Sequence, residues 1–285
     1  MPAHVLVTGA AGLIGSAVLD LLAATGITTT ALILEPADVR ADRTLIGDAG
    51  DPRLVADAVD GTDAVIHLAA IPRPGLDPDE EIFARNTRAT FVVLDQAGRR
   101  GIHNVAIASS YAIGGLPFAR VPLRLPYLPI DAALPLQITD PYALSKRADE
   151  ATADMVNRRY GTTVVALRLP FVGAPGDRLG PIAELWAAEP GRGAADVWSY
   201  LDVRDAARAL VAALRPAAPG SHVLYVAAPE TLSPRPTEWL LDRFHPGVPR
   251  PAFPGRTVPI DLGPARDLLG FTAEHIFPIA SRAAP

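Results

Sequence analysis

The chain of 285 residues contains no cysteine, which excludes disulfides, thiolate nucleophiles and cysteine-ligated zinc. Its six histidines, His4, His67, His103, His222, His245 and His275, are scattered, with no i, i+4 pair and no H-E-x-x-H run, so no metal site is expected. No G-x-S-x-G run exists, which removes the nucleophile elbow of Ser/His/Asp hydrolases. No apolar run reaches the roughly 18 residues of a membrane span, because Arg, Asp or Pro interrupts each one. The first strand-like run starts at His4, leaving no room for a leader and its cleavage site, and a cytoplasmic location is the expectation. Positive charge is also in deficit. With 26 Lys+Arg against 31 Asp+Glu the net charge is −5, so neither nucleic acid nor a membrane surface is expected as a partner.

Lysine is almost absent. The 26 cations are 25 arginines and the single Lys146. That lysine stands four residues after Tyr142, at the start of a predicted helix, which places both side chains on one face. With only 6 tyrosines in the chain, chance is a poor account of the spacing. Tyrosine titrates near pH 10 and needs a neighbouring positive charge to accept a proton near neutrality. A compact ammonium can do that and still donate to a ribose hydroxyl, a task for which a planar guanidinium has the wrong shape.

What the chain does have is apolar content, 49%, enough for a full core. Its 29 prolines predict rigid loops. Apolar runs at His4–Val7, Thr28–Leu34, Arg43–Ile46, Asp63–Leu68, Asn104–Ala108, Thr163–Leu169 and His222–Val226 read as strands. Helical spacing covers Leu13–Ala24, Pro52–Val59, Pro78–Arg100, Pro141–Arg159, Pro181–Ala188 and Val203–Leu214. The alternation predicts an α/β fold, a doubly wound parallel sheet of Rossmann type with a small C-terminal substrate lobe. Residues 1–170 would form the dinucleotide domain and 171–285 the lobe, with about 200–227 returning to the sheet. The Pro-crowded stretch Gly114–Asp140 forms no clear element and is long enough to be functional.

Gly9, Gly12 and Gly15 stand between the first strand and the first helix. They allow a tight turn and close approach of the backbone to a pyrophosphate at a helix N-terminus. Glu35, 20 residues after Gly15, ends the second strand, where a carboxylate accepts from ribose hydroxyls and repels a 2′-phosphate. NAD is therefore the expected cofactor, with Arg40 and Arg43 leaving NADP open. Asp48 could reach the adenine amino group or be a turn aspartate. Ser109 and Ser110 follow the fifth strand on the same edge of the sheet, where a hydroxyl can bond to a substrate oxygen.

The set Thr8-Gly9-Ala10-Ala11-Gly12-Leu13-Ile14-Gly15, His67-Leu68-Ala69-Ala70, Asn86, Ser109-Ser110 and Tyr142-Ala143-Leu144-Ser145-Lys146 resembles the extended short-chain dehydrogenase/reductase family, also called the NAD-dependent epimerase/dehydratase family. The resemblance implies a catalytic triad of Ser110, Tyr142 and Lys146, with Asn86 supporting the active-site loop. It implies a cofactor surface of Gly9, Ala11, Gly12, Leu13, Ile14, Gly15, Glu35, Asp48, Ala49, Leu68, Ala69, Ala70, Asn86, Tyr142, Lys146 and Pro170. It also implies a homodimer packed through the helix near Arg88–Arg99 and the helix bearing Tyr142, where the small Ala148, Ala151 and Ala153 would let helices approach closely but fit an intrachain interface equally well.

The departures narrow the reaction. Ser109-Ser110-Tyr111 stands where dehydratases carry Thr-Asp-Glu, and Phe171 stands where an asparagine contacts a sugar-nucleotide diphosphate. Ser109-Ser110-x-x-Ile113-Gly114 and Trp198-Ser199-Tyr200 are similar to uronate dehydrogenases, in which an arginine holds the substrate carboxylate. Arg178 falls near that place. Expected pocket residues are Arg73, Ser110, Tyr111, Phe171, Arg178 and Trp198. The expected function is hydride transfer between NAD and a hydroxyl or carbonyl of a small substrate, a sugar or sugar acid. Alternatives are a nucleotide-sugar epimerase that keeps its NAD, and a non-catalytic dinucleotide sensor.

Overall fold

The computed structural model describes residues 2–279. Seven strands form one parallel sheet: β1 (His4–Thr8), β2 (Thr28–Ile33), β3 (Arg43–Ile46), β4 (Ala64–His67), β5 (Asn104–Ser110), β6 (Thr163–Leu169) and β9 (Ser221–Tyr225), in the order β3-β2-β1-β4-β5-β6-β9. The strand order reverses between β1 and β4, and the crevice at such a switch point is where ligands bind in open α/β sheets.

The strands read as unbroken apolar runs because both faces of a parallel sheet are covered. Alternate residues serve opposite sides. Val5, Val7, Ala31, Ile33, Ala64, Ile66, Val165 and Leu167 enter one core, beneath α1 (Leu13–Ala24) and α6 (Val203–Ala212). Leu6, Leu32, Val65, Val105, Ile107, Val164 and Ala166 enter the other, beneath α2 (Pro52–Ala58), α3 (Asp79–Arg99) and α4 (Pro141–Tyr160).

Three of these helices begin on an aspartate whose carboxylate accepts from first-turn amides: Asp51 for α2, Asp140 for α4 and Asp202 for α6. Helix α4 is further fixed by Pro141 at its first turn and by left-handed Gly161 at its end. Helix α1 differs. Gly12 caps it without a side-chain bond, and no acidic residue lies in its first turn.

A further core joins chain segments far apart in sequence. Leu116, Leu125, Leu128, Ile130 and Leu134 of the Pro-rich stretch pack with Leu179, Trp186, Trp198, Leu232 and Leu240. Main-chain bonds tie the same stretch to the C-terminal part, Leu128 N–H to Pro249 O at 2.9 Å and Ile130 N–H to Pro259 O at 3.0 Å. Here lie the parallel pair β7 (Phe171–Gly173) and β8 (Tyr200–Asp202), with α5 (Gly180–Ala188) and α7 (Thr237–Phe244). The last helix, α8 (Gly263–Leu269), instead sends Ala265 into the core beneath α1 and α6. Among the described residues no helix is long and apolar enough to cross a membrane.

Candidate active site

The carboxyl ends of the sheet strands open into one cleft of about 1010 Å³. Its walls come from Gly9–Gly15 after β1, Glu35 after β2, Asp48 and Ala49 after β3, Leu68–Ala70 after β4, Ser110 at the end of β5 and Pro170 after β6. Asn86, Tyr142 and Lys146 reach it from α3 and α4, and Arg73, Tyr111, Phe171 and Arg178 line it too. Trp198 does not. Expected in the pocket, it is fully buried in the further core, where its indole N–H donates to Pro190 O at 2.7 Å and its ring meets Phe244 and His245.

The floor at β1 is made of glycines by necessity. Gly9 sits at φ 64°, and a Cβ there would lie 2.7 Å from Ala69 N; a Cβ on Gly15 would lie 2.4 Å from Gly9 O. Both contacts are with backbone that cannot swing away. Gly15→Ala is therefore expected to cost about 2 kcal/mol or more and to weaken dinucleotide binding at least about tenfold. Thermal melting and quenching of NADH fluorescence measure the two effects; an unchanged dissociation constant would remove this turn from the binding surface. The uncapped amides of α1 face the same cleft, an arrangement suited to an anionic phosphate. Glycine turn, uncapped helix, terminal Glu35 and cleft size together fit a nicotinamide dinucleotide. Asp48 is partly engaged in its own turn, accepting from Gly50 N at 2.8 Å.

The two serines diverge. Both border the cleft, but the Ser109 hydroxyl donates to Glu150 Oε1 at 2.7 Å, while Ser110 Oγ accepts from Ala112 N at 3.1 Å. Glu150 also takes a two-pronged bond from Arg168, both contacts 2.9 Å, locking α4 to β6. Asn86 fastens the loop after β4, accepting from Ile71 N at 2.7 Å and donating to Ile71 O at 3.1 Å and Ser145 Oγ at 3.2 Å.

Lys146 Nζ lies 5.9 Å from the Tyr142 ring centroid and donates to Ala108 O at 2.9 Å and to Asp149 Oδ2 at 3.2 Å. Burial works to strip its proton, but the Asp149 carboxylate, with Tyr142 and Glu150, holds its pKa above the usual lysine value. The ammonium is thus permanent near neutrality. The Tyr142 hydroxyl makes no hydrogen bond among the described residues, and Phe118 packs edge-on against its ring at 6.0 Å. His67 is no second base: burial, then the Lys146 charge, push it down to about 3. Its neutral ring bonds with Thr8 Oγ1 at 2.7 Å and Thr90 Oγ1 at 3.1 Å. Among the described residues no cluster of three His, Asp or Glu is placed to hold a metal.

Three residues here escaped sequence reasoning. Asp149 had a legible signal, an acid one turn after the lone lysine. Phe118, in the Pro-rich stretch, and Asp196, at the end of the short helical segment Pro190–Asp196, had none. Asp196 lines the cleft, and burial pushes its carboxyl up to about 7.

Comparison with known proteins identifies the family. The chain is 32% identical over 99% of its length to a Streptomyces protein named 3-diazoavenalumate denitrifying reductase, of which it covers 92%. It is 29% identical, over 59% of its own length and 68% of the other, to the NAD-dependent glucose-6-phosphate dehydrogenase of Haloferax volcanii. Among solved structures it superimposes on MoeE5 in complex with UDP-glucuronic acid and NAD, at TM-score 0.70 and 25% identity, covering 95% of this chain and 94% of that one. Residues 5–227 match the NAD dependent epimerase/dehydratase family, an enzyme family of dehydrogenases, reductases and epimerases, and the chain belongs to it.

Proposed function

We propose that this protein is an NAD-dependent dehydrogenase that moves hydride between the dinucleotide and a hydroxyl or carbonyl carbon of a sugar or sugar acid. The observation that carries the reading is the convergence of Ser110, Tyr142 and Lys146 on the cleft that begins at the glycine turn. When bound, the dinucleotide supplies the hydride acceptor. Ser110 orients the substrate hydroxyl, Tyr142 as phenolate takes its proton and becomes phenol as the carbon loses hydride, and Lys146 places a permanent cation beside that phenolate before the transfer. Asn86 holds the loop of Ile71 in place, and Arg178 is the carboxylate anchor for a sugar acid. Phe171, an apolar ring at the mouth of β7, offers no amide to a diphosphate. The further core with its Pro-rich strap serves as the substrate lobe. The reading includes a homodimer on the exposed Phe83, Phe91 and Leu144 of α3 and α4; Ala153, in contrast, is spent within the chain against the sheet.

NADH formation on adding NAD with free sugars and sugar acids tests the reading. Turnover of a nucleotide sugar with no net NADH supports the epimerase instead, and NADH binding without turnover supports the sensor. Glu35 sets the cofactor. NAD is expected to exceed NADP by at least about tenfold in kcat/KM, and Glu35→Ser to narrow that gap; an unchanged ratio would take Glu35 out of ribose recognition. A second reading, reduction of a diazo compound, is favoured by the full-length Streptomyces relative and by the rings of Tyr111, Phe118 and Phe171 in the cleft. NADH consumption with 3-diazoavenalumate, and none with sugars, would select it.

A further inference from the structure

We propose that Asp196 is a substrate-contacting residue that accepts a hydrogen bond from a substrate hydroxyl on the Ser110 side of the cleft and disfavours phosphoryl groups there. The inference rests on the hydride-transfer reading and adds a specificity residue to it.

The backbone shows that this carboxylate is held in place. Val197 and Trp198, which follow it, both adopt left-handed conformations, φ 43° and 54°. A β-branched residue enters that region only when the surrounding structure enforces it, and such strain gathers at functional sites. The enforcement is visible on every side. Val197 and Trp198 are fully buried, and Trp198 N–H donates to Gly193 O at 2.9 Å. Asp196 O accepts from both Ser199 N and Ser199 Oγ, at 2.9 and 2.7 Å. Tyr111 hydroxyl donates to Ala195 O at 3.1 Å, and the His245 ring bonds Ala194 O at 2.8 Å. Against these bonded neighbours the side chain that lines the cleft stands out: the Asp196 carboxylate has no hydrogen bond or ion pair among the described residues.

The groups around it leave the position open to a ligand. The Tyr111 phenol is pushed well up, chiefly by burial and then by Asp196 itself, so it stays neutral. His245 is pushed down by burial and stays neutral too. Arg178 stacks on the Phe171 ring at 5.0 Å and makes no ion pair with Asp196. A half-buried carboxylate without a partner resists ionising, which is why burial lifts it to about 7. A substrate hydroxyl relieves that penalty by donating. A phosphoryl group adds like charge and raises it.

The experiment compares wild type, Asp196→Asn and Asp196→Glu with NAD and four probes: L-arabinose, galacturonate, glucose 6-phosphate and UDP-glucose. Wild type is expected to oxidise L-arabinose or galacturonate at least about tenfold better in kcat/KM than glucose 6-phosphate. Asp196→Asn is expected to raise KM for the accepted polyol about tenfold with little change in kcat, and to narrow the gap to glucose 6-phosphate. The KM penalty should be larger at about pH 8 than at about pH 6, because the wild-type carboxylate ionises between them. Asp196→Glu keeps the charge and should fall between the two. A merely structural role would lower melting temperature and kcat without the pH-dependent KM. Wild-type preference for glucose 6-phosphate or UDP-glucose, or unchanged KM in a folded Asp196→Asn, overturns this inference alone. If wild type binds NADH but oxidises none of the four probes, the dehydrogenase reading falls and takes the inference with it.

Discussion

Tyr142→Phe is expected to lower kcat by about a thousandfold while leaving melting temperature and NADH affinity almost unchanged. The asymmetry follows from where the hydroxyl lies. Tyr142 is buried, with its ring packed on Phe118 and beside Lys146, yet its oxygen bonds to nothing among the described residues and opens on the cleft. Removing that oxygen therefore leaves no orphaned partner and no cavity, so folding has little to lose. Among the groups gathered around the Tyr142 oxygen, none can take its place as proton acceptor. Ser110 cannot hold the proton, His67 is committed to Thr8 and Thr90, and Lys146 is already protonated. A variant that kept wild-type kcat would refute catalysis through this phenol.

Lys146→Met has the opposite signature, loss of both activity and stability. Lys146 and Asp149 form a buried ion pair, with side chains 5% and 2% exposed. One Asp149 oxygen already lacks a partner. Deleting the ammonium leaves a buried carboxylate without its counter-ion, at a cost of about 3–5 kcal/mol. Burial already raises the Asp149 pKa, with Lys146 as the main opposing influence. A carboxylate raised in the folded state loses stability as pH climbs through the ordinary carboxylate range and beyond. Without Lys146 that loss deepens, so the deficit of Lys146→Met should be small in acid and large at neutral pH. Adding Asp149→Leu should recover most of the stability and none of the activity, since the cation beside Tyr142 is still missing. Denaturant melts of the single and double variants at two pH values check this. Equal stability of Lys146→Met and wild type at neutral pH would contradict the pairing.

Much of the architecture was legible because parallel strands buried on both faces are apolar without interruption. Val5–Val7 and Thr163–Leu169 needed no partner to be recognised, and Asp51 and Pro141 marked helix starts that the fold shares. The glycine turn and the Tyr142/Lys146 spacing were local signals, contained within single turns of chain. The rest depended on contacts that sequence does not announce. Strands β7 and β8 are three residues each and pair only with one another, too short for an alternation to show. The Pro-rich strap carries no period, and its leucines find partners some hundred residues away. Trp198 carried an aromatic side chain near the expected pocket, but the left-handed turn that buries it also points its neighbour Asp196 to the cleft. No local pattern distinguishes that aspartate from one on a solvated loop.

The most direct test of the central claim is a crystal structure of this chain grown with NAD. The account predicts pyrophosphate at the Gly9–Gly15 turn and the amides of α1, ribose hydroxyls within reach of Glu35, and the nicotinamide ring beside the Tyr142 oxygen with Lys146 on its ribose. A dinucleotide bound with its nicotinamide far from Tyr142, or a cleft that admits none, would contradict it.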